Sequence, residues 1–283
     1  MDKLKIIILG ATGKMGQTLI KQLVSDESFE LVGAHEIKNC SHLGKDAGYF
    51  IGIETGILIS NDLTDNFHLA DVIIDFTRPE ATMNMLNFAV QHKIAYVVGT
   101  TGFNKDEITQ IQSASKNIPI CMAPNMSVGI NVLISLVEKA AKFLPDYDFE
   151  IIESHHKHKV DSPSGTALRL GQAAAEGLNI SLVDHAVYTR HGRDEQRGKN
   201  EIGFSTIRAG DIVGEHTVMI AGDGERIELT HKATNRGNFA AGALKAATFL
   251  ADGGCGASSV LAFLASASTS GIRASLAILS ITT

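Results

Sequence analysis

Three glycines at three-residue spacing, set directly behind a short aliphatic run, constrain this chain more tightly than any other feature. Ile6 to Leu9 reads as a buried strand that stops at Gly10. Gly10-Ala11-Thr12-Gly13-Lys14-Met15-Gly16 follows. Lys14 to Val24 then takes helical spacing, with Met15, Leu19, Ile20 and Leu23 on one face. Phe29 to Ala34 is a second strand, and Glu36 lies 20 residues beyond Gly16. Glycines let the backbone turn sharply and let a bulky group approach it, while the amides opening a helix favour negative charge. Strand, glycine turn, helix, strand and acid, in that order, form a G-x-x-G-x-x-G variant of the dinucleotide fingerprint. The bland alternative is a glycine turn in a generic α/β domain.

The rest of the first half extends the pattern. Ala70 to Phe76, Tyr96 to Val98 and Ile118 to Met122 read as strands; Pro79 to Gln91 and Asn104 to Ser115 read as helices. Consecutive apolar positions, as in Val72-Ile73-Ile74, suit strands covered on both faces. The expectation is an α/β protein whose N-terminal domain is a Rossmann-like doubly wound parallel sheet. Ligands of such sheets sit beyond the carboxyl ends of the strands. Gly99, Thr100 and Thr101 after one strand, and Ala123, Pro124, Asn125 and Met126 after another, are placed to touch a nicotinamide ring and its ribose. Asp75-Phe76-Thr77-Arg78 ends a third strand likewise, although each such loop taken alone can be purely structural.

The pattern changes after Pro124. Val128 to Leu144 reads as a long helix, Phe149 to Glu153 as a strand, and a helix begins near Pro163. From Ile202 the chain takes an antiparallel character, with a hairpin turning at Gly222-Asp223-Gly224. This predicts an α+β substrate and oligomerisation domain over 127–237, with a mixed, largely antiparallel sheet. The dinucleotide-binding domain spans 1–126, and 238–283 returns to it through a helix over Phe239 to Leu250. The tail from Gly253 has Arg273 as its one charged residue, and its many hydroxyl residues weaken a reading as a membrane span.

Charge narrows the partners. With 25 basic and 31 acidic residues the chain is net negative, which suits neither nucleic acid nor an anionic membrane. Cys40, Cys121 and Cys255 are odd in number and far apart, as expected of unpaired thiols in a reducing cytoplasm. The aliphatic run near the N-terminus is too short for a signal-peptide core, so a cytoplasmic location is expected.

Against that negative background, positive charge is concentrated in one place. His155-His156-Lys157-His158-Lys159 leads into Ser162-Pro163-Ser164-Gly165-Thr166-Ala167. Ser162 is read as a helix N-cap with Pro163 in the first helical position, so that the Gly165 and Thr166 amides face outward. Cations beside exposed amides make a site for carboxylates, and histidine adds a group that moves protons near neutrality. A solvated basic loop or a metal site are the competing readings, and the residues alone single out no one histidine. Arg190 to Lys199 is a second basic stretch, either helping capture an anion or forming a solvated or subunit-contact loop.

The run from Glu150 to Ala167 resembles, without a gap, the signature of bacterial 4-hydroxy-tetrahydrodipicolinate reductases (dihydrodipicolinate reductases). Gly10 to Gly16, Asp75 to Pro79, Gly99 to Phe103, Ala123 to Asn131 and Gly203 to Gly214 are similar too. The resemblance implies reduction of a small cyclic dicarboxylate by NADH and/or NADPH in diaminopimelate and lysine biosynthesis. It implies His155 as general acid/base, Lys159 as proton donor, and His156, Gly165 and Thr166 as substrate-binding residues, with no metal. Gly10, Ala11, Thr12, Gly13, Lys14, Met15, Glu36, Gly99 to Thr101 and Ala123 to Met126 are implied to bind the cofactor. A homotetramer joined through the second domain, whose two domains close on a hinge, is implied as well.

Two features depart from the family. Ile37 stands where many relatives carry Arg, with Lys38 beside it as a partial substitute for a 2′-phosphate contact, which predicts weak discrimination between the cofactors or a lean toward NADH. The tail beyond about Asp252 does not resemble the usual ending. The rival enzyme reading, another Rossmann semialdehyde dehydrogenase, needs a nucleophilic thiol, and Cys121 is its candidate. A rival of another kind is a dinucleotide-sensing module without catalysis.

Overall fold

The computed structural model describes residues 2–62, 67–192 and 196–253. These fold into two compact units, one running to Val128 and resumed at Gly237, the other Gly129–Arg236. The predicted tail beyond Gly253 lies outside the described residues, as does Cys255.

The first unit is a six-stranded sheet. Its strands are β1 (Leu4–Leu9), β2 (Phe29–His35), β3 (Ile59–Ser60), β4 (Val72–Asp75), β5 (Ala95–Val98) and β6 (Ile120–Met122). They lie in the order β3-β2-β1-β4-β5-β6, and every pairing is parallel. This is the doubly wound arrangement expected. Alternate residues of the aliphatic runs point to opposite faces. Ile6, Ile8, Val72 and Ile74 enter a core with α1 (Lys14–Val24), while Ile7, Leu9, Ile73 and Tyr96 enter a second core on the other face. Helices α2 (Pro79–His92) and α3 (Lys105–Ala114) cover that second face. A run apolar at every position is what burial on both faces demands.

The second unit opens with α4 (Val128–Phe143), whose first residue belongs to the first unit, and continues through β7 (Asp148–His155), α5 (Gly165–Leu178), α6 (Leu182–His185) and β8 (Ala186–Val187). It ends with β9 (Ile202–Arg208), β10 (Gly214–Gly222) and β11 (Glu225–Ala233). The five strands lie in the order β11-β10-β7-β9-β8. The hairpin β10–β11 and the pair β10–β7 are antiparallel, as expected. One expectation needs correction. Strand β9 does not begin an antiparallel series, because it runs parallel to both β7 and β8. The long connection from β7 through α5 is a crossover, and crossovers return a strand in the same direction.

Strand β7 alternates strictly. Phe149, Ile151, Glu153 and His155 are buried, while the residues between them are partly exposed. Phe149 and Ile151 pack with Ile134, Val137 and Leu170 in the unit's core. Glu153 and His155 occupy the same face, where the pattern calls for apolar side chains. That break in the pattern locates the site.

Helix α7 (Gly237–Ala251) packs on α1, β4 and β5 of the first unit. Gly242 allows this approach, since a Cβ there would overlap the Met126 carbonyl oxygen.

Candidate active site

The glycine turn in the first unit has the shape a diphosphate needs. Gly10 takes a left-handed φ of +67°, with its Cβ direction facing Thr77 Cγ2 at 2.9 Å. A Cβ on Gly16 would overlap the Gly10 carbonyl, so α1 can begin this close to β1 only with glycine there. Gly13 caps α1 in an extended conformation without a side-chain bond, which leaves the helix start uncapped by any side chain. Glu36 faces the turn from the end of β2. Its Oε1 accepts from Thr12 N at 2.9 Å and Thr12 Oγ1 at 2.6 Å. These residues fit a nicotinamide dinucleotide, with the phosphates at the helix start and a carboxylate at the second strand end.

Other predicted cofactor residues divide. Lys14 and Thr101 are exposed, and Met15 is half-buried, whereas Ala11, Ala123 and Met126 are buried in or beside the core. Pro124 is exposed, and Asn125 Oδ1 accepts from Ser127 N at 2.8 Å. The Thr100 hydroxyl is buried and bonded within the protein, donating to Asp75 Oδ1 at 3.2 Å. Asp75, fully buried at the end of β4, also accepts from Thr77 N and Oγ1, Thr82 Oγ1 and Tyr96 OH at 2.6–2.8 Å. One carboxylate thus ties the ends of β4 and β5 to the start of α2. Burial beside that carboxylate drives the Tyr96 phenol well above its ordinary pKa. The sequence placed Asp75 in a strand-end loop at the crevice, and the structure shows its carboxylate turned into the protein to tie the neighbouring loops together. Its signal was an acid closing an otherwise aliphatic strand.

In the second unit the basic loop leaves β7 and enters α5. The helix begins later than expected. Ser164, not Ser162, is the N-cap, its Oγ accepting from Ala167 N at 3.1 Å. Pro163 lies before the helix, and the Ser162–Pro163 bond is cis. The first intrahelical bond runs from Leu168 N to Ser164 O, so Gly165 and Thr166 are in the first turn. Lys159 donates to Asp161 Oδ1 at 2.8 Å. His156 is half-buried, with its Nδ1 buried and without a hydrogen-bond partner. Among the described residues no group of three His, Cys, Asp or Glu side chains could hold a metal ion.

His155 is 9% exposed and its Nδ1 lies 2.6 Å from Glu153 Oε2. Arg208, from β9, grips both Glu153 oxygens at 2.7 and 2.8 Å. Burial alone would raise the Glu153 carboxyl, but Arg208, His155 and the Ser164 amide outweigh it and hold it at about 2. Burial lowers the His155 pKa and Glu153 opposes that, while Lys159 and Arg208 add to the lowering. His216, opposite Glu153 on β10, is buried 5.2 Å ring to ring from His155. Ser164 Oγ, which accepts from the Ala167 amide, also shares a hydrogen bond with His216 Nε2 at 3.0 Å. Burial, then the charge of His155, pull His216 down to about 4. Arg208 and His216 were missed in the sequence because they lie more than 40 positions from the loop and only the sheet register brings them to it.

In the second basic stretch two of the arginines are paired within the protein. Arg190 bridges Glu150 and Glu201 at 2.9 Å, and Arg197 pairs with Glu150. Cys121 is fully buried and burial raises its thiol to about 12, which disqualifies it as a nucleophile.

Comparison with known proteins agrees across both units. The family profile described as dihydrodipicolinate reductase, N-terminus, matches residues 4–126, and that described as its C-terminus matches 129–263. The chain is 51% identical over 254 residues to 4-hydroxy-tetrahydrodipicolinate reductase of Burkholderia lata, covering 89% of this chain and 96% of that one. It is 50% identical over 248 residues to the protein of that name from Polynucleobacter necessarius, covering 87% and 93%. In fold it is similar to dipicolinate-bound dihydrodipicolinate reductase from Paenisporosarcina sp. TG-14, with a TM-score of 0.73 at 24% identity over 89% of this chain and 96% of that one. An aspartate semialdehyde dehydrogenase from Vibrio cholerae shares the architecture more loosely, at TM-score 0.56 and 12% identity over 89% and 99%.

The low His216 pKa makes stability depend on pH. The folded imidazole refuses a proton that the unfolded one accepts below about 6.5. Its contribution is therefore present above that pH and lost as pH falls toward about 4, on the order of 3 kcal/mol in all. Urea unfolding should show a lower midpoint at pH 5 than at pH 7.5. His216→Gln, which keeps a partner for Ser164, should shrink that difference, and an equal drop in both proteins would refute the assignment.

Proposed function

The chain belongs to the dihydrodipicolinate reductase family, and from that premise we propose that it reduces 4-hydroxy-tetrahydrodipicolinate to tetrahydrodipicolinate on the diaminopimelate and lysine pathway. It is an NAD(P)H-dependent oxidoreductase by that membership. The observation that carries the reading is His155 at the end of β7, with Lys159 and the start of α5 on the loop that follows. A dicarboxylate substrate suits that loop, and the structural neighbour from Paenisporosarcina is itself dipicolinate-bound.

The residues divide the work as follows. Loss of the substrate 4-hydroxyl as water leaves a conjugated ring, which takes hydride at C4 and a proton at the neighbouring ring carbon. A bound dihydronicotinamide supplies the hydride. Gly10, Ala11, Thr12, Gly13, Lys14 and Met15 hold its diphosphate region, and Glu36 holds the adenosine ribose. Gly99, Thr100, Thr101, Ala123, Pro124, Asn125 and Met126 line the nicotinamide end, Thr100 through its backbone because its hydroxyl is bonded to Asp75. His156 and the Gly165 and Thr166 amides bind substrate carboxylates, fixing the ring where alignment supplies much of the rate. His155 is the general acid/base and Lys159 the proton donor to the enamine carbon. Lys159 exchanges Asp161 for the substrate when it acts.

Ile37 is 65% exposed beside Glu36, and an apolar side chain offers a 2′-phosphate nothing to bond. The chain therefore leans toward NADH or discriminates weakly. It assembles as a homotetramer and works in the cytoplasm; no helix among the described residues is long and apolar enough to cross a membrane.

A coupled assay tests the chemistry: pyruvate and aspartate semialdehyde with the condensing synthase generate substrate, and 340 nm absorbance reports its reduction. His155→Ala and Lys159→Ala should each lower kcat by roughly 10²–10⁴-fold. Near-normal turnover in both refutes their roles. In the same assay kcat/KM with NADH should equal or exceed that with NADPH, and a strong NADPH preference overturns the Ile37 argument. Light scattering should return the mass of four chains, a monomer being the contrary result.

A further inference from the structure

Glu153 makes more demanding contacts than any other group near the site. It is 1% exposed, and both its oxygens are occupied. Oε2 takes His155 Nδ1 at 2.6 Å and one Arg208 nitrogen at 2.8 Å. Oε1 takes the other Arg208 nitrogen at 2.7 Å and the Ser164 amide at 3.0 Å, with Thr206 Oγ1 at 3.4 Å. Arg208 in turn donates to the Asp161 carbonyl at 2.7 Å, on the loop that carries Lys159. Fold stability alone gives no reason for a carboxylate here. Phe149 and Ile151 fill the same face of β7, and a well-packed apolar residue usually stabilises as much as a buried ion pair.

We infer that Glu153 is a positioning residue, holding His155 in the tautomer that presents Nε2 and, with its other oxygen, fixing the start of α5. The inference rests on the reading of His155 as the acid/base. An ionised carboxylate only accepts hydrogen bonds, so His155 Nδ1 carries the hydrogen and Nε2 is the nitrogen left for chemistry. Gly214 keeps that nitrogen uncovered, since a Cβ there would lie 3.0 Å from His155 Nε2. The bond from Oε1 to Ser164 N sets the helix start against the same carboxylate. Proton transfer and carboxylate binding therefore share one anchor.

The charged and titratable groups around His155 are Glu153 on its own strand, Arg208 on β9, His216 on β10, and Lys159 on the loop, itself paired with Asp161. Glu153 is the one among these that directly bonds the imidazole and favours its protonated form. Neutralising it removes that support and leaves Arg208 uncompensated. Both changes make His155 harder to protonate.

The test uses the intact protein labelled with 15N-histidine. Nitrogen–proton correlation spectra of the wild type should show His155 as the Nδ1–H tautomer, its signal identified by its loss in His155→Gln. In Glu153→Gln the His155 titration should move to lower pH. The kcat should fall roughly 10²–10⁴-fold, as when a triad carboxylate is made an amide. NADH binding, read by fluorescence, should stay within about twofold, because Glu153 lies in the other unit. Glu153→Asp should recover part of the rate and of the titration shift. An Nε2–H tautomer in the wild type overturns the inference without any variant, so a Glu153→Gln protein that fails to fold does not shelter it. An unchanged His155 titration in a folded Glu153→Gln overturns it too, even with His155 essential. Near-normal turnover in His155→Ala instead sinks the acid/base reading and leaves the tautomer measurement standing.

Discussion

A carboxylate taken out of water must find partners for all its lone pairs, and Glu153 finds them on three separate pieces of chain. Its own strand supplies His155, β9 supplies Arg208, and the start of α5 supplies the Ser164 amide. Removing Arg208 would leave that carboxylate buried without a countercharge, which costs about 3–5 kcal/mol. The strand, the crossover helix and the parallel return strand, already in register through their backbone, thus meet at a single side chain. The basic loop hangs between two of those anchors.

The first unit solves the same problem with the same device. Asp75 closes an aliphatic strand, is fully buried, and is saturated by two threonine hydroxyls, a tyrosine, and the amide and hydroxyl of Thr77. It fixes the loops after β4 and β5, which any ligand of a doubly wound sheet must meet. In each unit a buried acid at the carboxyl end of a strand converts the rigidity of the sheet into precision in the loops. Rigid support of this kind is what lets polar side chains act at fixed distances.

Much of the fold could be read directly from the residues. Period-two burial and period-3.6 helices are local, so β1, α1, α2 and the β10–β11 hairpin fell within a few residues of their expected ends. The glycine turn was legible because its conformational demands are met by glycine alone. The errors came where local signals compete. Ser162 and Ser164 are both good caps, and the choice went to the one whose amide meets the buried Glu153. Strand β9 was read as antiparallel because nothing in its own residues records the direction of its neighbour. The pairing of Arg190 and Arg197 with Glu150 and Glu201 left no local signal, because those acids lie on other parts of the sheet and its connections.

By itself the sequence determined the alternating architecture of the first unit, the glycine turn with its acid, and the segment carrying His155, Lys159 and the α5 start. These follow from spacing along the chain, which covalent geometry fixes. Only the tertiary structure decided what surrounds them: that Arg208 meets Glu153 and His216 packs against His155, that Asp75 immobilises Thr100, and that Cys121 is sealed in the core. Such neighbours are set by strand order and register, and those minimise the free energy of the whole sheet rather than of any segment within it.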